Sequence, residues 1–147
     1  MAAAAMATDP HLIIGAARGW IGTPYRHQAS CKGAGCDCLG LLRGVWRELW
    51  GDEPEKMPPY TPDWSEATGA ERLRDALARH LTQVPPASAR AGDVALFRMA
   101  RHVPAKHCGI VGERDSALTL IHACQNRAVR EEPFAPWRGR LAYLFRI

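Results

Sequence analysis

The stretch Gly35-Cys36-Asp37-Cys38-Leu39-Gly40-Leu41-Leu42-Arg43-Gly44-Val45-Trp46 places two thiols one residue apart where an apolar helical pattern begins. From there Cys38, Leu41, Leu42, Val45, Trp46 and Leu49 fall at i, i+3, i+4, i+7, i+8 and i+11, the stripe of a helix with one buried face, and Gly51 closes it. Cys38 thus stands in the first turn. Unpaired backbone N–H groups and the positive end of the helix dipole favour a thiolate there. Cys36 lies upstream of that field. A single cysteine in such a place also reads as a small buried apolar residue, so the choice depends on what the rest of the chain brings to it.

Upstream, Asp9-Pro10 reads as an N-cap and first helical position, and Leu12, Ile13, Ala16, Ala17 and Trp20 keep to one helical face, which ends near Gly19 or Gly22. Gly22 to Gln28 and Ser30 to Gly35 read as loop leading to the cysteines. Downstream, Asp52 to Asp63 carries four prolines and reads as a surface excursion. Thr68-Gly69-Ala70-Glu71 has capping-box spacing, and Leu73, Leu77 and Leu81 continue a helix that Val84-Pro85-Pro86 stops. After the turn Ala91-Gly92-Asp93 the character changes. Val94–Phe97, Cys108–Val111, Leu118–Ala123 and Leu141–Ile147 are short β-favouring runs separated by Gly, Asp and Arg. Helices followed by consecutive strands predict an α+β fold with a small antiparallel sheet.

A chain of 147 residues, 47% of them apolar, has the size of one domain and enough apolar surface for a core without metal or disulfide staples. Residues 1–147 are therefore expected to form a single domain, with 1–8 flexible. The net charge of +4 comes from arginines scattered along the chain, which suits an acidic polymer or an assembly surface. No RNP-like strand, zinc-finger spacing or basic helix points to nucleic acid. No segment approaches the length of a membrane span, and the alanine-rich start MAAAAMATDP lacks the basic and apolar regions of a signal peptide. The expectation is a protein made in the cytoplasm with reduced thiols, the five cysteines being an odd and clustered set.

A thiolate needs a base, and the base needs a partner to orient it. Of six histidines, His11 and His80 fall in helical segments, His27 in the loop before the cysteines, and His102 in an Arg/Pro-rich linker. His107 opens one strand and His122 lies in the next. If those strands form a hairpin, the two imidazoles stand side by side on one face. A helix packed with its N-terminus over that face completes a Cys-His-His row. Two ordinary strand histidines remain the other reading of the pair.

These residues carry a resemblance to a known family. Asp37-Cys38-Leu39-Gly40-Leu41 resembles the Asp-Cys-Ser-Gly-Leu signature of the NlpC/P60 cysteine peptidases, Gly22-Thr23-Pro24-Tyr25 their Gly-x-Pro-Tyr, and Ala91-Gly92-Asp93-Val94 their Pro-Gly-Asp-Leu turn. His107-Cys108-Gly109-Ile110-Val111 is similar to their His-Val-Gly-Ile-Tyr, and Ile121-His122-Ala123 to their Ile-His-Ala. Trp20 to Tyr25, His27 to Ser30 and Lys106-His107 look most like the branch found in prophages and gene transfer agents, where the peptidase belongs to the tail. The resemblance implies a papain-like α+β fold with N-terminal helices on an antiparallel sheet. It implies Cys38 as nucleophile, His107 as base, His122 as the group orienting it, and Tyr25 as a hydroxyl near the oxyanion beside the Cys38 backbone N–H. Asp37 would shape the start of the helix. No cofactor and no metal is implied. The implied substrate is a peptidoglycan stem peptide, cut between D-glutamate and diaminopimelate. The implied partners are hub or baseplate proteins of a phage-like tail that carries the enzyme to the cell wall.

Two departures accompany the match. Leu39 stands where the family has serine, and Cys36 and Cys124 lie outside the triad, with Cys124 two residues past His122 and so on its strand face. Two other functions compete. A zinc module could draw on Cys31, Cys36, Cys38, His107, Cys108, His122 and Cys124, although no C-x-x-C pair is present and alternation turns Cys108 away from His107. The same fold could also serve as a non-catalytic structural plug in a tail assembly.

Overall fold

The computed structural model describes residues 9–55 and 71–147. The N-terminal residues 1–8, most of the Pro-rich excursion and the Thr68 end of the expected capping box lie outside that range.

The first helix, α1, spans Pro10–Arg18, with the Asp9 side chain accepting a hydrogen bond from the His11 N–H at 2.9 Å. Its buried face is Ile13, Ile14 and Ala17. The second, α2, spans Cys38–Trp50 and buries Leu39, Leu41, Leu42 and Val45. The two helices meet where the Trp20 ring lies against Gly44. A methyl group at Gly44 would sit 2.0 Å from Trp20 Cζ2, so only glycine admits the indole.

Between the helices, Ser30–Cys31 (β1) and Gly35–Cys36 (β2) form a tight antiparallel pair around Gly33, whose φ is +80°. This segment was expected to be loop. Strands of two residues carry no readable alternation, which is why the pattern hid them. The pair steers the chain into α2, and the Ser30 hydroxyl donates to the Gly40 carbonyl at 2.6 Å.

The remaining strands are Thr82–Val84 (β3), Val94–Phe97 (β4), His107–Arg114 (β5), Ala117–His122 (β6), Arg130–Pro133 (β7) and Leu141–Arg146 (β8). They make one antiparallel sheet in the order β3-β8-β4-β5-β6-β7. Alternation sorts the side chains onto two faces. Leu39 and Leu42 of α2 pack with Val94, Leu96, Cys108 and Phe145. Leu41, Val45, Ile13 and Ile14 pack with Ile110 and Ile121. On the opposite face, Phe134 and Trp137, the latter in the 3₁₀ segment Ala135–Arg140, cover Ala95, Phe97, Val111, Leu120 and Leu144. Both faces of the central strands are dry, so β4 reads as an unbroken apolar run.

Three expectations are corrected here. The third helix, α3, covers Arg72–Ala78 and ends well before Val84; Leu81 lies beyond it, and β3 follows as an edge strand paired to β8. The strand β7 was not expected, because Arg130-Glu131-Glu132-Pro133 has neither alternation nor a β-branched residue. The helix α2 lies on the sheet face opposite the histidines, not over them.

Candidate active site

Cys38 is the first residue of α2, and its position follows from Asp37. The Asp37 carboxylate, almost wholly buried, accepts from the Gly40 N–H and the Gln28 N–H, each at 2.7 Å. One bond caps the helix and the other ties the preceding loop to it. Gly40 lets that loop approach, since a Cβ there would fall 1.9 Å from the Ala29 carbonyl oxygen. The Cys38 side chain, part exposed, points to the beginning of β5, with Sγ 3.6 Å from the Lys106 carbonyl oxygen.

His107 opens β5 and is 9% exposed, while His122 at the end of β6 is fully buried. The hairpin sets His107 Nε2 2.8 Å from His122 Nδ1, with the rings edge to face. Trp137 lies against both rings, at 5.4 and 4.8 Å between centroids, and Phe97 against His107 at 5.8 Å. The histidines thus stand side by side, as the sequence predicted. Cys38, from the α2 side of the sheet, meets the start of β5 beside the Lys106 carbonyl and is paired with His107.

One member of the row was missed. Glu132 in β7 places Oε2 2.6 Å from His122 Nε2, and Arg130 Nε donates to the same oxygen at 3.0 Å. A carboxylate only accepts, so His122 Nε2 carries the proton and its Nδ1 offers a lone pair to His107. His107 therefore donates from Nε2, and its Nδ1 is the nitrogen left for Cys38. These protons are assigned from the partners each nitrogen faces. A Glu two residues before a phenylalanine, in a polar run without strand character, carries no signal that sequence reading could use.

The charges agree with this order. Hydrogen bonds from Cys108 and, after the opposing effect of burial, from His107, with the His107 positive charge, hold the Cys38 thiol well below its ordinary value of 9.0. Burial disfavours a charged His107, but bonds to Cys124 and Cys38 and their negative charge outweigh it and raise the imidazole to about 9. Both shifts favour a thiolate–imidazolium pair. Burial acts to raise Glu132, yet His122 and Arg130 keep it below the usual carboxylate range.

The other cysteines divide by environment. Burial, helped by Asp37 and Cys38, pushes Cys36 up to about 12, so it stays a neutral core thiol. Cys108 lies beneath Cys38 among Leu39, Leu42 and Phe145, and its bond to Cys38 and its burial drive it well above 9.0. Cys31 is exposed. Cys124, half-buried after β6, puts Sγ 3.3 Å from His122 Nδ1 and 3.9 Å from His107 Nε2. Burial opposes its ionisation, but both histidines lower it to about 6. Tyr25 bridges to Cys36 before α2; burial, then the charges of Cys38 and Asp37, push its hydroxyl up to about 12 and keep it a proton donor.

Of the seven candidate zinc ligands, the structure gathers three. His107, His122 and Cys124 are the group among the described residues whose donor atoms lie within 4.8 Å of one another. The full set of cysteines does not converge, so a structural zinc knuckle is not built.

Comparison with known proteins bears on the fold. No protein-family model matches the sequence, and no curated protein matches it. Solved structures do. The NlpC/p60 domain of the peptidoglycan hydrolase SagA superposes with a TM-score of 0.67 at 18% identity, covering 95% of this chain and 99% of that one. This chain has the NlpC/P60 fold. NlpC2 of Trichomonas vaginalis matches with a TM-score of 0.66 at 19% identity, over 95% of this chain and 47% of that one. The peptidoglycan hydrolase RipB of Mycobacterium tuberculosis matches with 0.61 at 18% identity, over 100% and 67%. This chain thus spans nearly the whole SagA domain but less than half of the Trichomonas protein. Within the NlpC/P60 fold, the cysteine at the start of α2 and the two strand histidines are brought together from three separate elements.

Proposed function

We propose that this protein is a cysteine peptidase acting on peptidoglycan stem peptides. The observation that carries the reading is the continuous row from Cys38 at a helix N-terminus through His107 and His122 to Glu132. Cys38 is the nucleophile rather than Cys124, because Cys38 opens α2, where the backbone N–H of the first helical residue can receive an oxyanion, whereas Cys124 follows a strand.

The Cys38 thiolate attacks the scissile carbonyl, and the oxyanion is received by the Cys38 backbone N–H and the Tyr25 hydroxyl. His107 gives its Nδ1 proton to the departing amine, leaving a thioester. Neutral His107 then takes a proton from the water that attacks the thioester; the carbon–sulfur bond breaks, the acid product departs, and the Cys38 thiolate and His107 imidazolium are restored. His122 holds the His107 ring, and Glu132 holds His122 in the tautomer that can accept.

The similar solved structures include domains named as peptidoglycan hydrolases, which supports the substrate class. The short motifs from Trp20 to Ser30 and at Lys106-His107 support a place in a phage-like tail that carries the enzyme to the wall. Their family resemblance also supports the bond between D-glutamate and diaminopimelate. The deciding experiment is mass spectrometry of diaminopimelate-type muropeptides incubated with the protein and with Cys38→Ala. A new fragment pair, absent with the variant, is expected, and its masses name the bond. Intact substrate in both, with a correctly folded protein, overturns the reading in favour of a structural part.

A further inference from the structure

Cys124 takes no part in the row, yet its thiol stands against both imidazoles. From the placement of the three donors we infer that His107 Nε2, His122 Nδ1 and Cys124 Sγ form a site for a soft divalent cation of the Zn²⁺ type, whose binding switches the catalytic row off.

The donor chemistry, two imidazole nitrogens and a thiolate, is that of a borderline-soft ion and not of Ca²⁺ or Mg²⁺, which take oxygen. The separations fit. Tetrahedral Zn²⁺ at about 2.0–2.1 Å from nitrogen and about 2.3 Å from sulfur sets N···N near 3.3 Å and N···S near 3.5 Å. The two N···S distances here, 3.3 and 3.9 Å, bracket that value. The N···N distance of 2.8 Å has to open by about half an ångström, the change from a shared proton to a shared metal. The outer contacts are also those of a metal site. Glu132 holds His122 from behind through Nε2, the carboxylate–histidine arrangement that orients a ligating ring, and Trp137 walls the two rings. Cys124 is part exposed, which gives the ion a way in to two histidines that solvent barely reaches.

Binding displaces to solvent the proton shared by the imidazoles and any proton still on Cys124 Sγ, with no change of oxidation state. His107 then keeps Nδ1–H but has its Nε2 lone pair committed to the ion. The relay through His122 is broken.

The test uses Co²⁺ as a spectroscopic probe on the purified chain, without substrate. The wild type is expected to develop visible d–d bands and a near-ultraviolet thiolate-to-cobalt band. Cys38→Ala, whose sulfur is not a ligand, should keep both. Cys124→Ser should lose the charge-transfer band, and Glu132→Ala should weaken binding by about tenfold or more. In a muropeptide assay, Zn²⁺ should inhibit the wild type reversibly on chelation. Cys124→Ser, referred to its own metal-free rate, should need a Zn²⁺ concentration at least about tenfold higher for the same fractional inhibition. A charge-transfer band that survives Cys124→Ser, or that disappears in Cys38→Ala, overturns the site, as does the lack of any band at millimolar Co²⁺. Because the spectrum needs no turnover, its failure leaves the peptidase reading intact, and an inactive protein that shows the band leaves the cation site intact.

Discussion

Two cysteines separated by a single residue have opposite chemistry here because their surroundings differ: bonds from Cys108 and His107 hold the Cys38 thiol low, while burial, helped by the Asp37 charge, keeps Cys36 protonated. Asp37 also caps α2 and so sets Cys38 at the helix N-terminus. Cys38→Ser should therefore lower kcat/KM by at least about 10³-fold, as loss of a nucleophile does, with the fold unchanged by circular dichroism. Cys36→Ser should retain activity. Its cost is in stability, about 1–3 kcal/mol for a hydroxyl placed in an apolar pocket, read from urea denaturation. Equal loss of activity in both would defeat the assignment. Glu132 sits one step further from the reacting atoms. Glu132→Ala removes the acceptor that fixes the His122 proton, and should lower kcat by about tenfold or more. That is less than the roughly 10⁴-fold loss when a fully buried orienting carboxylate is amidated, because Glu132 is part exposed. Little change in KM is expected, and ¹⁵N spectra of His122 should show the proton redistributed between its ring nitrogens.

At the scale of elements, the central strands β4, β5, β6 and β8 and the helices α1 and α2 were legible, because burial on one or both faces writes itself into apolar periodicity. The edge strands were not. β3 and β7 have solvent on one side and polar side chains, and β7 hides Glu132, so the same lack of pattern concealed a strand and a site residue. The face on which α2 packs was misread for a related reason. Alternation assigns residues to faces, but not which face the helix covers. β7 also anchors α1, since Glu131, whose side chain is 4% exposed, binds Arg18 through both oxygens at 2.9 Å and the Thr119 hydroxyl at 2.6 Å. Burial raises Glu131, but Arg18, Thr119 and Arg114 together hold it below its ordinary value. A carboxylate depressed in the folded state contributes stability that is complete above its unfolded value of about 4.3 and lost as pH falls through the lower folded value. The stability gap between wild type and Glu131→Gln should accordingly be full at pH 6 and shrink below about pH 4.3 in urea titrations. A gap that stays constant to pH 3 would show that the ion pair contributes nothing. Where α1 meets α2, Gly44→Ala forces a methyl into the Trp20 ring and should destabilise by about 1–3 kcal/mol.

For the whole molecule, the site depends on parts far apart in sequence, with Cys38 from the helical half and His107, His122 and Glu132 from three strands of the other half. Cys38, His107 and His122 stood out in the sequence because each sits in a short motif, whereas the way they meet is a property of the assembled sheet. Beyond the site, the chain carries a surplus of positive charge, +4, spread over arginines, many of them paired on the surface with glutamates. Exposed pairs of that kind contribute little to stability, while the net charge suits long-range attraction to an anionic polymer, which under the proposed function is the cell wall. Such attraction is screened by salt, with a reach of about 10 Å at 0.1 M and about 3 Å at 1 M. The Cys38→Ala protein, which under the proposed function cannot cut the polymer, should therefore co-sediment with purified peptidoglycan sacculi at low ionic strength and be released progressively as salt rises. Binding that persists unchanged at 1 M NaCl would mean that short-range contacts in the cleft, and not the arginine surplus, hold the protein to the wall; the steering role of the charge would then fall away while the catalytic row stood unaffected.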